Sequence, residues 1–226
     1  NPVTETDLAV DRFLNERLRA ARPDYGWLSE ETADTPERLG KRSIFIVDPI
    51  DGTLAFVKRK PEFVICGCVV KDGVPTAAAI YNPMTEEMFA AVRGGGATLG
   101  DDRVSVSARA ELEGCRMLVA RDVIGHPAWP QPWPPMDVGK RASIAYRMAL
   151  VANGAYDAMM ALSSKYEWDT AAGALIVQEA GGLATLHTGA PLAYNQPTPT
   201  HRSLICAGPA LHSAILARTA AIRLPA

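Results

Sequence analysis

Two aspartates, Asp48 and Asp51, stand three residues apart in Asp48-Pro49-Ile50-Asp51-Gly52-Thr53, directly after the run Ile44-Phe45-Ile46-Val47. The β-branched and aromatic run reads as a buried strand. Pro49 lacks a backbone donor and fixes φ, which predicts that the strand stops there and the chain turns. Gly52 lets the backbone approach a ligand closely, and its N–H group with that of Thr53 can hold a phosphate. Two hard anionic ligands beside an anion-binding backbone suit a divalent cation bridging protein to phosphate. The expectation is a magnesium-dependent phosphatase, although D-x-x-D by itself equally describes an Asp-rich solvated turn.

Two further segments bear on that choice. Upstream, Trp27-Leu28-Ser29-Glu30-Glu31-Thr32 places paired glutamates behind an apolar dipeptide. Downstream, Glu167-Trp168-Asp169-Thr170-Ala171-Ala172-Gly173 leads into an Ala/Leu/Ile/Val stretch that ends at Gly181-Gly182. Asp169 is a favourable N-cap for a helix over Thr170–Ala180, and the glycine pair supplies a left-handed stop. An ordinary capped core helix explains this segment, and an aspartate at its start can also face a metal. Four carboxylates converging without cations would repel one another and take up protons. Bound Mg²⁺ reverses that field, acidifies a water and neutralises charge on a leaving oxygen; two ions about 4 Å apart clamp an in-line displacement. Hard Mg²⁺ needs no cysteine or histidine ligand.

Together these segments resemble the inositol monophosphatase superfamily, whose signatures are G/S-E-E, D-P-[IL]-D-G-T and W-D-x-A-A-G in this order. Val3-Thr4-Glu5-Thr6-Asp7 fits the family's V-T-x-x-D, and Leu150–Ala158 fits its L-V-A-x-G-x-x-D-A, so the resemblance spans nearly the whole chain. It implies that Glu30, Asp48 and the Ile50 carbonyl hold one Mg²⁺. Asp48, Asp51 and Asp169 would hold a second, with Asp48 bridging, and a third, looser ion would sit beside Glu30. It further implies catalytic roles for Thr53, Asp7 and Glu30: Thr53, oriented by Asp7, positions the attacking water. The Gly52 and Thr53 amides grip phosphate oxygens. Lithium sensitivity and a homodimer are likewise expectations of the family. Members carry a helix ahead of the first motif, so a segment before Asn1, including a targeting signal, is compatible with it.

Composition fits a globular enzyme. The 226 residues are 48% apolar, with mean hydropathy near zero. A net charge of −2 gives no basic footprint for nucleic-acid polymers or anionic membranes, and no apolar run reaches transmembrane length. Cys66, Cys68, Cys115 and Cys206 show neither disulfide-framework nor zinc spacing; buried free thiols in a reducing cytoplasm are expected. The histidines 126, 187, 201 and 212 form no ligand pattern. Arg93-Gly94-Gly95-Gly96-Ala97 lacks the Lys-Ser/Thr of a Walker loop and reads as a turn between strands.

Around these motifs the pattern predicts an amphipathic helix over 8–21 and strands over 44–47, 63–70, 75–82 and 87–92, a largely antiparallel sheet. The second half alternates strand 116–120, helix 143–153, strand 155–160, helix 170–180, strands 183–186 and 204–207, and helix 211–221. The proline-rich 126–137 is irregular, a loop at the substrate mouth or a plain surface connection. Two halves are expected, 1–105 with most metal ligands and 106–226 with Asp169 and the substrate pocket. The resemblance implies an α+β and α/β architecture, the layered α-β-α-β-α sandwich of the inositol monophosphatase and fructose-1,6-bisphosphatase type.

For the substrate, a small-molecule phosphate ester, the family resemblance discriminates further. Inositol-specific members carry a glutamate seven residues before the W-D aspartate; that position is Leu162 here. Glu167–Gly173 and Leu192-Ala193-Tyr194-Asn195 look closer to the 3′(2′),5′-bisphosphate nucleotidase branch, which removes the 3′-phosphate of 3′-phosphoadenosine 5′-phosphate. Arg141, Arg147 and Lys165 are candidates to meet a second phosphate, or else solvated surface cations. Inositol 1-phosphate and other sugar phosphates stay open. So does a Mg²⁺-dependent binding or regulatory module with little turnover, though that would predict a gap among the site residues. An aspartyl-phosphate phosphotransferase would call for D-x-D-x-T, a spacing one residue narrower.

Overall fold

A computed structural model describes residues 3–127 and 129–224. Asn1, Pro2 and Ala128, which fall within stretches read above, lie outside them. The first helix, α1 (Glu5–Ala21), starts three residues before the predicted onset. Thr4 and Asp7 close a capping box there: the Asp7 amide reaches the Thr4 hydroxyl, and the Asp7 carboxylate accepts the Thr4 amide at 2.9 Å.

Seven strands then form one sheet in sequence order: β1 (Gly26–Ser29), β2 (Ser43–Asp51), β3 (Val64–Lys71), β4 (Val74–Asn82), β5 (Glu87–Val92), β6 (Gly96–Leu99) and β7 (Asp102–Val104). Every neighbouring pair is antiparallel except β1 with β2, as the largely antiparallel expectation has it. The short β1, β6 and β7 were not predicted. The glycine turn joins β5 to β6, with Gly94 and Gly96 at positive φ. A short helix, α2 (Thr53–Val57), follows β2.

One expectation at β2 needs correction. Pro49 does not end the strand, which runs on to Asp51. The register against β3 passes from Asp48↔Cys66 to Asp51↔Val64, so β2 carries one extra residue. Within this bulge the missing Pro49 donor costs the ladder nothing, and the Ile50 amide turns to Asp48 Oδ1 at 3.0 Å.

The second sheet has the order β12-β14-β10-β8-β9, from β8 (Arg116–Leu118), β9 (Asp137–Gly139), β10 (Ala158–Ala161), β12 (Leu183–Thr185) and β14 (Leu204–Ala207). A two-stranded pair, β11 (Lys165–Tyr166) with β13 (Thr200–His201), lies apart. Helices α4 (Ile144–Ala152) and α5 (Glu167–Glu179) pack on each other; α5 meets β2–β6 and α4 meets β10 and β14. With α1 against β2 and α6 (Pro209–Thr219) against β14, the order is α-β-α-β-α. Between the four-residue helix α3 (Arg121–Ile124) and β9 the described residues form no helix or strand. There Trp129 and Trp133 meet edge to face, with Arg218 over the Trp133 ring. The four cysteines are buried and free. No helix among the described residues is long and apolar enough to cross a membrane.

Both central helices are largely buried, because they pack on each other and each also meets both sheets. They pack tightly at Gly173, where an added Cβ would lie 2.6 Å from Met148 Sδ and 2.7 Å from Met148 Cβ. Gly173→Ala is therefore expected to destabilise the protein by about 1–3 kcal/mol, since overpacking forces the helices apart. A melting temperature equal to that of the unaltered protein would show that α4 and α5 separate freely.

Candidate active site

The bulge in β2 decides the geometry. In an unbroken strand, residues three apart point to opposite faces, whereas the extra residue returns Asp51 to the side of Asp48. Asp169 joins them from the first turn of α5, and one oxygen from each of the three lies within 4.8 Å of the others. Asp169 is not the N-cap predicted above. The helix starts directly at the end of β11, so Tyr166 caps it and Asp169, third in the helix, accepts the Tyr166 amide at 2.9 Å.

The described hydrogen bonds engage one oxygen of each carboxylate. Asp48 Oδ1 accepts from the Ile50 amide, and Asp169 Oδ2 from Tyr166. Asp51 Oδ2 accepts from both the Ser143 hydroxyl and the Ala145 amide, each at 2.6 Å, at the start of α4. Each side chain is thus oriented while an oxygen is left over. Asp48 Oδ2 is buried without a hydrogen-bond partner, a costly state for a carboxylate unless a cation meets it. An all-oxygen donor set of this kind fits a hard divalent metal ion.

Burial and mutual repulsion raise all three acids. Burial, then Asp51, Glu30 and Asp169, pushes Asp48 well above the usual carboxylate range. Burial lifts Asp51 to about 6 against the opposing bonds from Ser143 and Ala145. Burial and the Asp51 charge lift Asp169 to about 8.

Glu30 lines the same cleft, with Asp51, Gly52, Thr53 and Asp169, but stands outside the three-carboxylate group. Its backbone is fixed by Asp11, a residue that sequence reasoning missed. Buried Asp11 accepts from the Ser29 hydroxyl and, at 2.6 Å, from that of Thr32, so it holds both flanks of Glu30-Glu31. Ser143, read only as a helix start, is the other omission. The only sequence signals were a polar residue on the apolar face of α1 and a serine at a helix onset.

Thr53 begins α2, and its hydroxyl lies 3.4 Å from Asp7 Oδ1 and 3.1 Å from the Ile50 carbonyl. Asp7 is itself fixed through Oδ2 by the Thr4 amide and hydroxyl. Gly52 has φ +99, and a Cβ there would sit 2.8 Å from the Glu62 carbonyl, so only glycine fits between this turn and the chain beyond it.

The three basic candidates part company. Arg147 and Lys165 line the cleft. Arg141 does not; its guanidinium lies over the Tyr156 ring, while its carbonyl accepts from Arg147 Nε at 2.7 Å. Lys165 Nζ is drawn to Ser163 and Ser164 oxygens at 2.8–2.9 Å. Burial lowers the pKa of both Arg147 and Lys165. Leu162 lies in a separate cavity of about 430 Å³ with Val123, Trp129 and Ile222, which Asp122, His126 and Arg223 also line. Glu167 is buried, held at about 7 by that burial, and accepts the Asn195 and Gln196 amides at 2.7 and 2.9 Å. Arg38 binds the same turn through Asn195 Oδ1 and the Gln196 carbonyl.

The profile of the inositol monophosphatase family matches residues 1–223. The chain belongs to that family. It is 33% identical over 199 residues to an inositol-1-monophosphatase of Rhizobium meliloti, covering 81% of this chain and 71% of the relative. It is 31% identical to a 3′(2′),5′-bisphosphate nucleotidase CysQ of Aggregatibacter actinomycetemcomitans, covering 86% and 76%. The crystal structure of the extragenic suppressor protein SuhB from Bartonella henselae superposes with TM-score 0.80 at 29% identity, over 94% of this chain and 87% of that one. These matches support a phosphomonoesterase with the layered fold of this family.

Without metal, the raised acids have a measurable consequence. The folded state binds protons more tightly than the unfolded chain, whose aspartates titrate near 3.8, so ionisation at the site opposes folding. In chelator, stability is expected to fall as pH rises from about 4 to about 8, and excess Mg²⁺ should restore it. A chelator melting temperature flat across that window, with no Mg²⁺ shift at pH 8, would contradict the cluster as a cation site.

Proposed function

We propose that the protein is a Mg²⁺-dependent 3′(2′),5′-bisphosphate nucleotidase that releases the 3′-phosphate of 3′-phosphoadenosine 5′-phosphate. The observation that carries this reading is Leu162: where the family's inositol-specific members have a glutamate, this residue offers no acceptor for a ring hydroxyl, and its side chain packs beside Trp129 outside the carboxylate cleft. The 31%-identical relative named as such a nucleotidase supports it. An inositol-1-phosphate reading is favoured by the 33%-identical relative instead.

In either case the residues perform the same work. Asp48, Asp51, Asp169, Glu30 and the Ile50 carbonyl would hold divalent ions, which would neutralise charge and acidify water at the scissile phosphate. Ser143, Ala145, Ile50 and Tyr166 hold the acid side chains ready, so little reorganisation is required when a substrate arrives. Thr53 has one proton and two acceptors within reach, Asp7 and the Ile50 carbonyl. With that proton committed, a lone pair of its oxygen faces the cleft and accepts a hydrogen bond from the attacking water, orienting it for in-line displacement. The amides of Gly52 and Thr53 meet the charge that builds on the phosphoryl oxygens.

The test is phosphate release from 3′-phosphoadenosine 5′-phosphate and from inositol 1-phosphate, side by side in Mg²⁺, in chelator and with Asp51→Asn. The nucleotide is expected to be preferred, with release abolished by chelator and reduced at least about a hundredfold in the variant. Preference for inositol phosphate would reject the nucleotide reading while leaving the metal-site reading intact. Release that survives both chelator and Asp51→Asn would reject the metal-dependent mechanism.

A further inference from the structure

The carboxylate cleft, about 710 Å³, is lined by more positive charge than a single phosphate beside metal ions calls for: Lys58, Lys60, Lys140, Arg147 and Lys165. Two of these are already engaged, Arg147 with the Arg141 carbonyl and Lys165 with the oxygens of Ser163 and Ser164. The other three are exposed, and their ammonium groups make no described ion pair or hydrogen bond.

Lys58 and Lys60 do not sit on a loose loop. The Lys58 amide bonds Leu54 O at 3.3 Å, Arg59 bonds Phe56 O at 2.9 Å, and Lys60 bonds Ala55 O at 2.9 Å, closing the end of α2. Arg59 lies between them at φ +53, a left-handed conformation that disfavours any side chain with a Cβ. The chain just beyond is fixed twice more: Asn82 Nδ2 donates to the Pro61 carbonyl at 3.0 Å, and the Glu62 carbonyl presses on Gly52. The two lysine stems therefore rise from a rigid turn packed against the residue whose amide meets the scissile phosphate. Lys58, Lys60 and Lys140 line the same cleft, where Glu62 is the one acid outside the carboxylate group and Glu30, and a bound anion would offset the repulsion among the three.

We propose that Lys58 and Lys60, with Lys140 from the β9–α4 connection, form a subsite for a second phosphate of the substrate, distinct from the phosphate cleaved at the carboxylates. The subsite rests on the reading of this cleft as the hydrolytic site, but not on which scaffold carries the two phosphates.

The test compares substrate pairs that differ only in the second phosphate: 3′-phosphoadenosine 5′-phosphate against 3′-AMP, and inositol 1,4-bisphosphate against inositol 1-phosphate. The ratio of kcat/KM within a pair is expected to favour the bisphosphate about tenfold or more on at least one scaffold, and to shrink with added salt. In Lys58→Ala/Lys60→Ala and in Lys140→Ala, with melting temperatures confirming folding, the ratio should fall to within about threefold of unity. A preference confined to the inositol pair would support the subsite and reject the nucleotide scaffold. A ratio near unity on both pairs, or one that the variants leave in place, would overturn the subsite and mark these lysines as solvated surface charges. Should neither scaffold turn over, calorimetric titration of the four compounds in Mg²⁺ reads the same ratio as Kd. Tighter binding of a bisphosphate that the lysine variants lose would support the subsite, and equal binding within both pairs would overturn it.

Discussion

Mutual repulsion among buried carboxylates is the constraint around which this molecule is arranged. Asp48, Asp51 and Asp169 approach within 4.8 Å in a setting that raises the proton affinity of each. Left to themselves, such groups would swing apart or stay protonated. One oxygen of each is instead tied to a backbone or hydroxyl donor, and the donors come from different places: the bulge in β2, the start of α4 and the end of β11. The fold's contribution is to aim these donors from elements far apart in sequence. Ser143 stands 92 residues from the aspartate it holds, and Asp169 belongs to a helix packed between the two sheets.

The motifs were legible because the chemistry concentrates them. D-P-I-D-G-T, E-W-D-T-A-A-G and the Glu30-Glu31 pair concentrate acids in short spans, and their order along the chain, with the Val3–Asp7 and Leu150–Ala158 stretches, pointed to the family and the layered fold. Local geometry was less legible. Proline read by itself ends a strand; only the register of β3 makes Pro49 a bulge residue, and no local pattern records that register. Asp169 read by itself is an N-cap, because β11 lasts two residues and its pairing with β13 is non-local. Asp11 was invisible for a third reason. A charged residue in a helical repeat looks solvated until a partner such as Ser29, 18 residues on, is brought against it.

Helix α5 links the parts more than any other element. Its first turn carries Asp169, its middle packs against both α4 and the seven-stranded sheet, and its last residue, Glu179, accepts the Gly94 and Gly96 amides of the β5–β6 turn at 2.9 Å. Glu167, at the start of the same helix, secures the Asn195–Gln196 turn, which Arg38 secures from the other side. The resemblance that groups Glu167 and Asn195 with nucleotidases therefore falls on residues bonded to each other behind the cleft wall. They shape the site through the backbone, without lining it.

This separation bears on how one carboxylate arrangement serves different substrates. Relatives named for inositol phosphate, for bisphosphate nucleotides and as SuhB all match the same chain over most of its length. Changing an acid that holds the cations would remove the chemistry together with the specificity, so discrimination must come from groups that leave the acids' geometry untouched. The groups proposed above for that part sit on connections: Leu162 in the stretch after β10, and Lys58, Lys60 and Lys140 on the turns after α2 and β9. None donates to Asp48, Asp51 or Asp169, whose described donors are Ile50, Ser143, Ala145 and Tyr166. Strands and helix starts fix the carboxylates, and on the reading proposed above the turns between them are where substrate choice is made.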